Sequence, residues 1–124
     1  MKKLYRLLKA QDFKDVLDKR KCVLKNSSFS VYVSEGDKNH IQIGISVSTK
    51  VGNAVTRVKC RRQVRAMIST IDKLNHCYCL PLRIVIIVKK DYLKKEYLEN
   101  FTVLKKVFSS LENTGELLKN EIKN

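Results

Sequence analysis

Acidic residues are scarce in this chain: 12 Asp and Glu stand against 26 Lys and Arg, a formal net charge of +14 over 124 residues. Such a charge says little about fold, but it directs the protein towards polyanions, with nucleic acid first and an anionic membrane surface second. Proline occurs once and glycine four times, so there are few places for a linker. With no repeat and no low-complexity segment, a single domain over 1–124 is expected. Apolar residues at 44% and aromatics at 7% mark a globular composition, not a disordered one. No stretch reaches the ~18 consecutive apolar residues of a membrane-spanning helix. The opening MKKLYRLLKAQDF lacks the apolar run and small-residue cleavage site of a signal peptide. A cytoplasmic location, with no membrane partner, is therefore expected.

Catalytic groups are equally thin. The two histidines, His40 and His76, fall in expected loops, and nothing suggests a Ser-His-Asp or Cys-His arrangement. The acids show no cluster suited to two-metal hydrolysis. Of the four cysteines, Cys22, Cys60, Cys77 and Cys79, none forms a CxxC pair or a familiar zinc spacing, and in a reducing compartment they are expected as free thiols. His76 beside Cys77 could take part in a metal site; the plainer reading is a loop before Pro81. The chain by itself reads as a binder.

Residues 10–20 carry Phe13, Val16 and Leu17 at helical spacing. Residues 28–34 and 41–48 alternate strictly, with Phe29, Val31 and Val33 on one face of the first and Ile41, Ile43, Ile45 and Val47 on one face of the second. The intervening Glu35–His40 segment has turn chemistry, so the two strands are expected to pair as an antiparallel hairpin. A helix is expected from Asn53, its N-cap, to Asp72. A strand covered on both faces is expected over 83–90, and a helix over 96–111 with Phe101, Leu104, Phe108 and Leu111 on one side. The tail after about 113 is expected to fray. The order α-β-β-α-β-α predicts an α+β fold, an α-β sandwich with helices on one face of a small sheet.

The chemistry concentrates in KVGNAVTRVKCRRQVRAM, residues 50–67. On a wheel of roughly 100° per residue, Cys60, Val64, Met67, Ile68 and Ile71 gather on a core arc. Arg61, Arg62, Arg65 and Lys59 spread over the remainder, and Arg57 sits in the first turn, from which a long side chain can still reach out. A merely solvated helix face mixes signs. Here no acid occurs from Lys38 to Ile71, and four of the seven arginines lie between Arg57 and Arg65. Arg57, Arg61 and Arg65 repel at i, i+4 spacing, so something outside the fold must compensate. Guanidinium suits phosphate because its planar fork binds two oxygens. Gly52-Asn53 opens the helix, where free N–H groups and the positive end of the macrodipole favour an anion between Lys50 and Arg57. A second candidate surface combines Phe13 with Tyr32, placed on the polar face of the expected hairpin beside Ser46 and Ser48. Exposed aromatics with hydroxyls and nearby cations suit single-stranded nucleic acid, although Phe13 alone reads equally well as core.

The run IGISVSTKVGNAVTRVKCRRQVR, residues 43–65, resembles the signature of the bacterial ribonuclease P protein subunit, in which a GLSVSKK-like strand enters GNAV, an Arg-Asn-Arg motif and further basic residues on one helix. Arg6-Leu7 and Asp12-Phe13 match that family's Arg-Leu-x-x-x-x-Asp-Phe opening. The resemblance implies a left-handed β-α-β crossover, contrary to the usual hand. It implies as partners the ribonuclease P catalytic RNA, in a 1:1 complex, and precursor tRNA, whose 5′ leader the holoenzyme removes. It implies Mg2+ as a cofactor, held mainly by the RNA, which carries the chemistry. By position, Lys50, Asn53, Arg57, Lys59, Arg61, Arg62 and Arg65 would meet the catalytic RNA. Phe13, Leu17, Tyr32, Ser46 and Ser48 would line the leader groove, with Arg6 supporting the same edge. The chain departs from the pattern at Val58 and Lys59, where the motif has Asn and Arg, at Ala66, where an acid is common, and at Leu17, where an aromatic is common. The alternative is a structural RNA-binding protein of ribosomal type; a non-specific DNA or membrane binder is a third reading.

Overall fold

In the computed structural model the strands take the order β1-β2-β4-β3. They are β1 (Cys22–Lys25), β2 (Phe29–Glu35), β3 (Gln42–Val47) and β4 (Leu82–Val88). Three α-helices accompany them: α1 (Ala10–Asp18), α2 (Ala54–Asn75) and α3 (Tyr97–Lys123). Residues 1–112 are described in full, and the expected fraying after about 113 lies outside them.

The expected hairpin does not form. β4 inserts between β2 and β3, antiparallel to the first and parallel to the second, with Val31 opposite Ile86 and Ile86 opposite Ile45. The physical reason lies in composition. β4 is apolar on both faces, with Leu82, Ile84, Val85, Ile86 and Val88 all buried, and such a strand belongs in the middle of a sheet. β2 and β3 each have one polar face and can flank it. The six residues between them can span ~20 Å when extended, enough to cross the ~10 Å width of one inserted strand.

β1 was not anticipated. Its apolar core, Cys22-Val23-Leu24, is too short to show a period and lies among lysines. It pairs with β2 as an edge strand, and flanking lysines are a usual guard on such an edge.

One face of the sheet carries Phe29, Val31, Val33, Ile43, Ile45, Val47, Ile84, Ile86 and Val88. It packs against Cys60, Val64, Met67, Ile68 and Ile71 of α2 and Leu104, Phe108 and Leu111 of α3 as the main core. The expectation that the helices share one face holds for α2 and α3 and fails for α1. Val16 of α1 packs with Leu7 and Val85 in a second cluster on the opposite face, joined by Phe13, Tyr32 and Ile87. Val85 supplies the reason: a doubly apolar central strand needs a cover on each side. The fold remains an α+β sandwich.

Candidate RNA interface

α2 begins as its sequence dictates. The Thr56 N–H donates to Asn53 Oδ1 at 2.9 Å, an N-cap that satisfies one of the free donors of the first turn. A 3-10 turn at Thr49–Val51 precedes it, in which the Lys50 N–H donates to Ser48 Oγ at 3.2 Å. A Cβ on Gly52 would meet the Thr56 side chain at 3.0 Å, so this position is kept small by close approach. Ser48 and Asn53 thus each hold backbone at the entry to the helix. Lys50 projects, exposed, from the same turn. The helix ends at His76, whose N–H still donates to the Asp72 carbonyl at 2.7 Å and whose left-handed conformation (φ 56°) turns the following chain away.

The buried positions of α2 are Cys60, Val64, Met67, Ile68 and Ile71. The basic residues fall into two groups: Arg57, Arg61 and Arg65 are half-buried along one flank, and Lys59 and Arg62 are exposed. No acid answers them. The two ion pairs found among the described residues are Arg83–Asp12 and Lys94–Asp91, both away from α2.

A further cation joins from the N-terminus. The Leu7 N–H donates to the Ile43 carbonyl at 2.9 Å, and Arg6 forms a parallel bridge with Ile43, so this segment runs along the outer edge of β3. Tyr5 anchors it from the other side by stacking on Tyr78, ring centroids 4.1 Å apart. The result brings Arg6 to Arg65, and the two line one small cavity with Phe13, Ile43 and Ile45. Burial, then the Arg6 charge, then the Arg61 charge push the Arg65 guanidinium below its ordinary value. The Nε atoms of Arg6, Arg57 and Arg65 are buried without a hydrogen-bond partner. Such a cluster is destabilising in isolation and becomes favourable with an anion.

On the opposite sheet face, α1 is fixed at two points. Asp12 pairs with Arg83 at 3.2 Å. The Phe13 ring lies over Gly44 so closely that a Cβ there would stand 2.5 Å from the ring's Cζ. Phe13 is therefore a packing residue that also lines the cavity shared by Arg6 and Arg65. Leu17 is half-buried one turn further along. Tyr32 does not adjoin Ser46 and Ser48 as expected. The inserted β4 separates them: Tyr32 pairs with Val85, and Ser46 with Ile87. Tyr32 thus stands roughly 10 Å from the β3 row, and half-buried Ile87 lies on the strand between them, packed against the Val16 cluster. Reading the expected strand over 83–90 as covered on both faces concealed Ile87. Arg20, also missed, stands with its guanidinium 5.9 Å from the Tyr32 ring centroid; the only signal was the Lys19-Arg20-Lys21 run after α1.

Neither Cys60 nor Cys77 is an activated thiol. Burial pushes the Cys60 thiol up against the opposing pull of Lys59 and Arg61, and burial with the Asp72 carboxylate pushes Cys77 up to about 12. Cys77 is buried in the core and His76 is exposed at the helix end. Among the described residues no group of three or more His, Cys, Asp or Glu is placed to hold a metal. No helix there is long and apolar enough to cross a membrane.

Residues 1–112 match the family model Ribonuclease P. The chain belongs to that family. It is 35% identical over 96 residues to the ribonuclease P protein component of Mesoplasma florum, covering 77% of this chain and 84% of the relative. It is 33% identical over 86 residues to that of Mycoplasma mycoides, covering 69% and 76%. The RNase P protein structure from Staphylococcus aureus superposes with a TM-score of 0.73 at 30% identity, covering 86% of this chain and 94% of the other. The RNase P protein structure from Thermotoga maritima, at 24% identity, shares the fold with a TM-score of 0.67 and coverage of 83% and 94%. As a ribonuclease P protein, the chain is a component of a ribonucleoprotein, and its basic helix lies inside the matched region.

Proposed function

We propose that the α2 face built from Arg57, Lys59, Arg61, Arg62 and Arg65, entered by Lys50 and Asn53, binds the ribonuclease P catalytic RNA. The groove of Phe13, Leu17, Tyr32 and Ser46 receives the 5′ leader of precursor tRNA. The observation that carries this is the convergence of Arg6 with Arg65, buried Nε donors unpartnered and no acid nearby, at a cavity that Phe13 also lines. There the catalytic RNA on the helix and the leader in the groove would come side by side. The protein positions the leader and offsets phosphate repulsion, and the hydrolysis takes place on the RNA. Magnesium belongs with the RNA in this reading. Among the described residues the acids form no donor set for it, and no step is routed through a protein-held ion.

The test is cleavage of precursor tRNA by the cognate catalytic RNA at low magnesium, with and without the protein, beside a protein-only control. Cleavage that requires both components supports the proposal; tight RNA binding without stimulation favours a structural RNA-binding role. Contacts to five to seven phosphates would give a log affinity against log salt slope of ~−4 to −6.

A further inference from the structure

Directly opposite its core arc, α2 carries a stripe whose two valines the electrostatic reading leaves unused. Val55, Val58, Lys59 and Arg62 stand at i, i+3, i+4 and i+7 and share one face of the helix. With Ala54 they line a shallow hollow. Val55 is 79% exposed and Val58 49%. Neither belongs to either apolar cluster of the fold. β-branched side chains at solvent-facing helix positions lose rotamer freedom and bury nothing, so the fold supplies no reason for this pair.

Charge narrows the occupant. Lys59 and Arg62 continue the stripe, and the sequence has no acid between Lys38 and Ile71. A basic or neutral protein surface would leave these cations unanswered. A base-paired RNA helix would answer them with phosphates and leave the valines idle, because its bases are stacked inside. An unstacked base offers both an apolar face and flanking phosphates. The hollow is also continuous with the basic flank of the same helix, and Val58 is where the chain departs from the Arg-Asn-Arg pattern.

We infer that the Val55–Val58 step seats one unstacked base of the catalytic RNA, with Lys59 and Arg62 on the adjoining phosphates. This rests on the catalytic RNA being the partner of α2. The two kinds of contact differ in salt response: the apolar seat adds affinity at every ionic strength, whereas each lysine or arginine contact steepens the salt slope.

The experiment titrates the folded catalytic RNA with the wild-type protein, Val58→Asn, the double variant Val55→Ala/Val58→Ala, Lys59→Ala, Arg61→Ala and Arg65→Ala, at several salt concentrations. Single-nucleotide chemical probing of the bound RNA accompanies it. Val58→Asn and the double variant should weaken binding on the order of tenfold with an unchanged slope, and should expose one base that the wild type protects. Lys59→Ala should flatten the slope by about 1. Because both valines are exposed, these variants should fold, which thermal melts check. Wild-type affinity and protection in both valine variants, with Arg61→Ala and Arg65→Ala still weakened, would overturn the base seat alone. Wild-type affinity in the arginine variants as well would remove the RNA reading of α2 and this inference with it. Concentration-dependent self-association of the free protein that Val58→Asn abolishes would assign the patch to a second copy and also overturn it.

Discussion

Gly44→Ala tests the geometry that fixes α1 and so shapes the groove. A methyl group at that position would stand 2.5 Å from Phe13 Cζ and 2.6 Å from Cε2. Carbon contacts settle near ~3.5 Å, so the ring must retreat by about 1 Å. It cannot do so freely, because it shares a cluster with Leu7, Val16 and Val85, and its helix is pinned by Asp12–Arg83. Overpacking of this kind costs about 1–3 kcal/mol. Replacing a strand glycine recovers about 0.5–1 kcal/mol of backbone entropy. The net expectation is destabilisation of about 1–2 kcal/mol. In a Phe13→Ala background the clash is gone and only the gain remains, so the same substitution should turn neutral or stabilising. The coupling between the two positions is then about 2 kcal/mol, well above the error of a double-mutant cycle in urea denaturation. Equal costs of Gly44→Ala in both backgrounds would refute the packing of Phe13 on Gly44. The displaced ring should also reduce the preference for leader-bearing precursor over mature tRNA.

Arg61→Gln should raise the melting temperature of the free protein at low salt, since it removes i, i+4 repulsion worth about 0.5 kcal/mol towards Arg57 and Arg65; the gain should shrink at high salt, while RNA affinity falls. Asn53→Ala, which removes the cap on Thr56, should cost about 1 kcal/mol in denaturant titration, and Asn53→Asp should restore most of it. Cys77 is held neutral by burial, its folded value raised to about 12 from an ordinary value near 9. The unfolded chain therefore loses that proton first, and stability should decline as pH rises above about 9. Cys77→Ala should show a shallower alkaline decline, and in the native protein exposed Cys79 should alkylate well before Cys77.

Much of α2 was legible in the sequence, for a local reason. Its five buried residues, its Asn53 cap and its unanswered cations all follow from a 3.6-residue period and from chemistry within one turn. Only its far end differs, reaching Asn75 instead of Asp72, because the left-handed stop at His76 leaves no mark in periodicity. The same local logic located β2, β3 and β4 and assigned their apolar faces.

Neighbour relations were another matter. Alternation tells which way Tyr32 and Ser46 point, but it cannot tell which strand lies between them, and a two-faced strand such as β4 will displace a hairpin whenever the connection is long enough. The meeting of Arg6 with Arg65, the seating of Phe13 on Gly44 and the placing of α1 against Val85 are likewise contacts between residues far apart in the chain. Their choice depends on which apolar surfaces remain to be covered once the sheet is assembled. Sequence by itself determined the three helices, β2, β3 and β4, most of their buried faces and the positive charge that seeks RNA. Tertiary structure decided that this charge converges with Phe13 at one cavity, because only the packed sheet sets their distance.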